Sequence, residues 1–135
     1  NAEHGASFHP DVTANGWPAN PDNCAFDKAG NIWIATDGAP RAGGFADGLW
    51  AAPVAGEARA LTKLFFTTPV GAELCGPCLT PDNETLFLAV QHPGEADEAM
   101  RYDKPATRWP DFAGNNLPRP AVVAIQRKDG ADIGA

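Results

Sequence analysis

Two stretches of this sequence share one layout, and that repeat restricts the fold more than any other feature. The first, Pro21 to Gly38 (PDNCAFDKAGNIWIATDG), runs short strand, turn, apolar strand, polar loop. The second, Thr68 to Glu95 (TPVGAELCGPCLTPDNETLFLAVQHPGE), follows the same order. Trp33-Ile34-Ala35 aligns with Phe87-Leu88-Ala89 at an offset of 54 residues. A repeat of this kind means that each copy is one supersecondary unit, which buries its faces against its neighbours. Fourteen Gly and 13 Pro divide the chain into short pieces and oppose long helices.

The first unit opens with a strand at Cys24–Phe26, a turn at Asp27–Gly30 and a strand at Asn31–Ala35. Gly30 takes the position where a hairpin needs positive φ. Ile32 and Ile34 lie on one face of the second strand and Trp33 on the other, so that strand is central and covered on both sides. A flexible loop at 39–47, a third strand at Gly48–Pro53 and a fourth, outer strand at Arg59–Thr67 complete the unit. The second unit runs from Leu79-Thr80 through the Pro81–Glu84 turn to a strand at Leu86–Val90. A long loop at 91–119 leads to a strand at Ala121–Gln126 and an Asp129-Gly130 hairpin signal, and 131–135 read as the start of a fourth strand cut short.

Four-stranded antiparallel units repeating at about 50 residues are the signature of β-propeller blades. The chain therefore reads as all-β, with about two blades of a larger propeller: 21–68 as the first and 69–135 as the second. Residues 1–20 form an irregular leader anchored by Phe8 and Trp17, and Asn1-Ala2 read as the remnant of a cleaved expression tag. A small β-sandwich with coincidentally similar halves is the alternative.

Charge narrows the partners. The net charge is −7, and no Lys/Arg cluster is present to grip a phosphate backbone, which argues against nucleic acid. No run of about 18 apolar residues exists, so no membrane-spanning helix is expected.

Cys75-Gly76-Pro77-Cys78 matches the string of thioredoxin-like redox sites, which needs a helix after it to lower the first thiol's pKa. Leu79-Thr80-Pro81-Asp82 breaks the chain instead. Zinc would need two further Cys or His ligands, and Cys24 alone is not a second pair. The two cysteines are expected as buried strand residues; a Cys75–Cys78 or Cys24-linked disulfide is open to an oxidising compartment.

The carboxylates carry more. In a propeller the innermost strands line a central channel, and acidic or amide residues at their leading ends make an oxygen cage for hard cations. Asp22 and Asn23 precede the first inner strand and Glu73 precedes the second; these three are the metal candidates, though Pro-Asp-Asn is also an ordinary turn. Asp37, His92 and Glu95 follow the second strand of each unit. Antiparallel pairing brings a first strand's start and a second strand's end to the same end of the blade. All six therefore face one entrance, where the last three are candidates for the channel mouth and substrate side.

The ordered set PDNCAFDKAGNIWIATDG, TPVGAELCGPCLTPDNETLFLAVQHPGE, WPD and PRPAVVAIQRKDGADIGA resembles the C-terminal part of PhoX-type alkaline phosphatases. The QHPGE loop after the TPDNETLF strand is its most specific piece. The resemblance implies a six-bladed propeller in a periplasmic or secreted bacterial protein, exported by the twin-arginine route. It also implies hydrolysis of phosphate esters with Ca²⁺ and Fe³⁺ at the channel mouth. Asp22, Asn23 and Glu73 then become the metal-side residues. The isolated chain, lacking the other blades, is expected to be inactive, to bind no metal, and to self-associate through bare blade edges. The PDN–AFDKAGNIWIA pattern is also similar to gluconolactonase and regucalcin-type lactonase propellers, and a non-catalytic propeller is the remaining alternative.

Overall fold

A computed structural model of the chain describes residues 2–5, 8–40, 44–95 and 104–134. Within them, seven strands form two antiparallel sheets. β1 (Pro21–Phe26), β2 (Ile32–Thr36), β3 (Gly48–Ala52) and β4 (Lys63–Thr67) are hydrogen-bonded in sequence order. β5 (Glu73–Leu79), β6 (Thr85–Gln91) and β7 (Ala121–Gln126) form the second sheet in the same way. Meandering units packed face to face, four strands against three, are the arrangement of neighbouring propeller blades.

The core lies between the sheets. Alternation in β2 turns Trp33 and Ala35 inward, and β3 adds Leu49. From the other side come Ala72, Leu74, Leu86, Leu88 and Val90, with Ile133 closing one end. β5 packs directly on β1 and β2, so the leading strand of the second unit lies along the seam.

Two polar clasps fix the ends of this core. Asp27 is buried; its carboxylate accepts Asn31 N at 2.8 Å, Asn31 Nδ2 at 2.8 Å and the Trp33 indole N–H at 3.0 Å. It therefore shapes the β1–β2 turn and orients the largest core ring together. Gly30 takes its expected positive φ, 86°. On the opposite unit Asn83, in the left-handed region at φ 69°, donates Nδ2 to Ile133 O at 3.1 Å and accepts Ile133 N–H on its backbone carbonyl at 2.8 Å.

That second clasp corrects the expected fourth strand at 131–135. Its described residues, 131–134, form no strand, because Ile133 is tied to the β5–β6 turn and buried in the core. Residue 135 lies outside the described residues, as does Asn1 of the expected tag remnant. β4 starts at Lys63 rather than Arg59, since 56–61 are consumed by consecutive turns and Ala60 adopts φ 62°.

The leader is anchored differently than expected. Phe8 and Trp17 meet edge-on at 4.5 Å and remain half exposed, whereas Trp50 donates its indole N–H to Asn15 O at 2.8 Å. An apolar cavity of about 270 Å³ lies beneath this segment, lined in part by Trp17, Phe45, Trp50 and Leu64.

The cysteine string lies inside β5. A bulge between Cys75 and Cys78 holds Gly76 at φ 61°, and the strand ends at Leu79 before the 80–84 turn. The expected burial is corrected: Cys78 and Cys24 are exposed, Cys75 is half-buried, and all three are free thiols. The bulge resets the alternation of β5 ahead of Cys78 and turns that side chain away from the seam. No helix among the described residues is long and apolar enough to cross a membrane.

Candidate metal centre

Strand register gathers the acidic residues at one end of the seam. Pro21 stands opposite Thr36, and Glu73 opposite Gln91, so the starts of β1 and β5 lie beside the ends of β2 and β6. Asp37, Glu73 and His92 each offer a ligand atom, and these atoms lie within 4.8 Å of one another. Donor oxygens sit about 2.3–2.6 Å from calcium, so two donors across one ion are at most about 5 Å apart. The three side chains therefore fit around a single cation. Asp37 comes from the first sheet and the other two from the second.

Each member is held by its own local structure. Asp37 follows β2 in a loop fixed by buried Asp47, whose carboxylate accepts Thr36 Oγ1 at 2.7 Å, Gly38 N at 3.0 Å and Ala39 N at 2.9 Å. The flexible loop expected at 39–47 is thus anchored at both described ends; residues 41–43 lie outside the described residues. Glu73 is half-buried, and Gln91 Nε2 donates to its Oε1 at 3.1 Å. The same amide nitrogen lies 2.7 Å from Cys75 Sγ, which brings that thiol to the edge of the site.

The QHPGE loop folds back over the turn before β5. Gly94 N donates to Val70 O at 2.8 Å, and Gly71, at φ 72°, approaches Glu95 so closely that no Cβ fits between them. This approach sets His92 between two carboxylates, with Nε2 3.1 Å from Glu73 Oε2 and Nδ1 2.7 Å from Glu95 Oε2. The Gly71 carbonyl lies 3.2 Å from Nδ1 as well. Pro93 and Gly94 are buried, and Pro118 and Thr107 of the following loop pack against Gly94. Residues 96–103 of the expected 91–119 loop lie outside the described residues.

Electrostatics follow from this geometry. Burial pushes the His92 pKa down, but the Glu73 hydrogen bond, the Gly71 carbonyl and the charges of Glu95 and Glu73 outweigh it, and the net direction is up. Acceptor oxygens lie at both ring nitrogens, an arrangement that favours the protonated ring. A ring nitrogen that ligates a metal must first shed its proton. His92 Nε2 faces Glu73 Oε2 at 3.1 Å, so His92 joins as a ligand through that nitrogen only by releasing Glu73.

The expected residues separate into two groups. Asp37, Glu73, His92 and Glu95 meet as one constellation. Asp22 and Asn23, at the start of β1, share the same end of the molecule, while the ligand atoms gathered within 4.8 Å are those of Asp37, Glu73 and His92. The Asn23 amide contacts Asp22, and its Oδ1 accepts Gly76 N of β5 at 2.8 Å, tying the sheets together beside the site. Sequence reasoning missed Asp47, Gln91 and Gly71. The Asp47-Gly48 pair opening a strand and the Gly two residues before Glu73 were the available signals.

The family model "Alkaline phosphatase PhoX" matches residues 1–94. The solved structure of Pseudomonas fluorescens PhoX in complex with vanadate, a transition state analogue, is similar with a TM-score of 0.69 and 34% identity. The similarity covers 96% of this chain and 23% of that one, so the chain spans about a quarter of that protein's length. No curated protein matches the chain.

Proposed function

Since the chain belongs to the PhoX alkaline phosphatase family, we propose that it forms one side of the metal centre of a phosphate-ester hydrolase. The observation that carries this reading is the meeting of Asp37, Glu73 and His92 across the seam between the sheets. The donor set is oxygen-rich, which suits calcium, and its imidazole extends it toward iron. Ca²⁺ together with Fe³⁺ is thus the proposed complement.

The residues alone are chemically wrong for a phosphate ester. Asp37, Glu73 and Glu95 bring three acidic side chains around the one imidazole of His92, a balance that repels an anion. A cation held there would invert that field and supply Lewis-acid polarisation to the phosphoryl group. Asp37 and Glu73 would hold it. Gln91 and His92 keep the two Glu73 oxygens oriented, one each, and Gly71 holds His92 in reach. The vanadate complex of the P. fluorescens relative concerns a transition-state analogue, which fits phosphoryl transfer as the reaction class.

The reading extends to a periplasmic or secreted bacterial protein exported by the twin-arginine route, supported by the resemblance of the motif-bearing segments. It also has the isolated chain inactive and self-associating through exposed blade edges. The test uses the longer polypeptide that contains this chain. Glu73→Gln and Asp37→Asn are expected to abolish turnover of p-nitrophenyl phosphate and to weaken metal binding in calorimetry. Wild-type turnover in both variants, or lactone hydrolysis without phosphatase activity, would overturn the assignment. Phosphatase activity of the 135 residues alone, above a metal-free control, would refute their inactivity.

A further inference from the structure

One thiol of the CGPC string, Cys75, stands at the edge of the metal centre, and strand register puts it there. Glu73 is paired with Gln91, and Cys75 with Ala89. Successive side chains of a strand alternate, so Glu73 and Cys75 share one face of β5, and Ala89 and Gln91 the matching face of β6. Ala89 projects only a methyl group, which leaves the diagonal from Gln91 to Cys75 open. Gln91 Nε2 accordingly lies 2.7 Å from Cys75 Sγ and 3.1 Å from Glu73 Oε1. The bulge begins just past Cys75, which is the last residue of β5 to keep the register of Glu73. Gly76 N donates to Asn23 Oδ1 at 2.8 Å, so the backbone beside the thiol is tied to the first sheet as well.

The chemistry of an amide explains what the thiol adds. A glutamine side chain carries two N–H donors on one nitrogen and an acceptor oxygen at its other end. A carboxylate only accepts, so Glu73 Oε1 takes the nitrogen end of Gln91; a turned amide would set carbonyl against carboxylate. One N–H is then left over, and Cys75 Sγ accepts it. An amide held by one contact can swing about it, whereas two contacts fix its plane. The other oxygen of Glu73, Oε2, faces His92 Nε2 at 3.1 Å. Gln91 and His92 thus set the Glu73 carboxylate from both sides, and Cys75 sets Gln91.

We propose that Cys75 is a positioning residue of the metal centre, acting through Gln91 to orient Glu73 for a cation. It is not itself a ligand in this arrangement: the ligand atoms gathered within 4.8 Å are those of Asp37, Glu73 and His92. The role needs an acceptor at this point of the strand rather than sulfur as such, so a hydroxyl can fill it. Every contact involved lies within the chain, between two neighbouring strands of one sheet. The proposal rests on the reading of Glu73 as a metal ligand and names the group that holds it in place at one remove.

Calorimetric titration of the longer polypeptide with Ca²⁺ tests it, with thermal melts of the metal-free variants checking that each folds. Cys75→Ala is expected to weaken binding about 3- to 10-fold, the equivalent of one hydrogen bond. Gln91→Ala, which loses the group touching the ligand itself, should weaken it about 10–100-fold. Cys75→Ser keeps an acceptor and should bind as wild type does. Cys75→Val fills the space of the thiol without an acceptor and must reproduce Cys75→Ala, which separates the lost bond from lost packing. In the Gln91→Ala background, Cys75→Ala should cost nothing further, because the partner through which it acts is gone. Unchanged affinity in Cys75→Ala and Cys75→Val, equal loss in Cys75→Ser, or additive losses in the double variant overturns the proposal. Glu73→Gln run alongside separates the two readings. Intact binding there removes Glu73 as a ligand and this proposal with it, whereas lost binding there with wild-type affinity in Cys75→Ala removes Cys75 alone.

Discussion

Adding one carbon at Gly71 disturbs the metal centre without touching any of its side chains. Gly71 holds φ at 72°, where an L-residue costs about 1–2 kcal/mol. An added Cβ would collide with the Glu95 carbonyl oxygen and lie 2.7 Å from both the Glu95 carbonyl carbon and its nitrogen. Backbone cannot yield as a side-chain tip does, so the QHPGE loop must withdraw. Withdrawal strains the 2.8 Å bond from Gly94 N to Val70 O and the 3.2 Å contact of His92 Nδ1 with Gly71 O. At about 0.5–1.5 kcal/mol for each lost bond, Gly71→Ala should cost about 2–5 kcal/mol in all. Gly30→Ala is the internal control: φ is 86° and a Cβ there meets nothing within 4 Å, leaving the backbone penalty alone. Urea unfolding of both variants at unchanged m-value isolates the collision. Calorimetric titration with Ca²⁺ should show affinity lowered about 10–100-fold in Gly71→Ala, as for loss of groups that orient a ligand, and unchanged in Gly30→Ala. Equal destabilisation of the two variants, or unaltered affinity in Gly71→Ala, refutes the reasoning.

Asp47→Ala should destabilise the chain by at least about 2 kcal/mol, because Thr36 Oγ1 and the Gly38 and Ala39 amides lose a buried acceptor. Thermal melts measure the loss, and metal affinity should fall with it as the Asp37 loop loosens. Asp27 predicts an acid limb. Burial pushes its carboxyl up, but hydrogen bonds from Asn31 and Trp33 outweigh this and hold it below the ordinary value. A depressed folded-state pKa contributes stability that is present above about pH 4 and lost as pH falls through the folded value. The urea midpoint should therefore drop on acidification more in wild type than in Asp27→Asn, and parallel curves would remove Asp27 from the account.

Strand order, the β1–β2 hairpin turn and the blade repeat were legible because each rests on local signals: alternation in Ile32–Ala35, Gly30 at the turn, and the recurrence of Phe87-Leu88-Ala89. The Asp129-Gly130 signal gives a turn, but no strand follows it among the described residues. The common end of the strands was legible too, since antiparallel pairing alone carries Glu73 to Gln91 and Pro21 to Thr36. Contacts between distant parts of the chain were not. Asn83 captures Ile133 across 50 residues, and nothing near Ala131 signals that Ile133 plugs the core instead of joining a ladder. Asp47 looked like loop polarity because its three donors lie 8 to 11 residues upstream. The cysteines misled for a related reason: a strand pattern implies alternating burial, but the bulge at Gly76 resets the alternation.

The seam explains why the repeat and the site belong together. A blade that ended in Asp37 alone would present one exposed carboxylate, and Glu73 with His92 alone would satisfy each other in an ion pair. Only packing of β5 on β1 and β2 brings the third group within reach. The inward set Trp33, Ala35 and Leu74 therefore determines the position of the ligands as well as the stability of the fold. Asn23 reinforces the same seam by holding Gly76. A cation bridging Asp37 and Glu73 would hold the two sheets together at their open end. Core packing and metal binding are for that reason thermodynamically linked: whatever loosens the seam weakens the site, and ligand binding stabilises the packed state over the separated one.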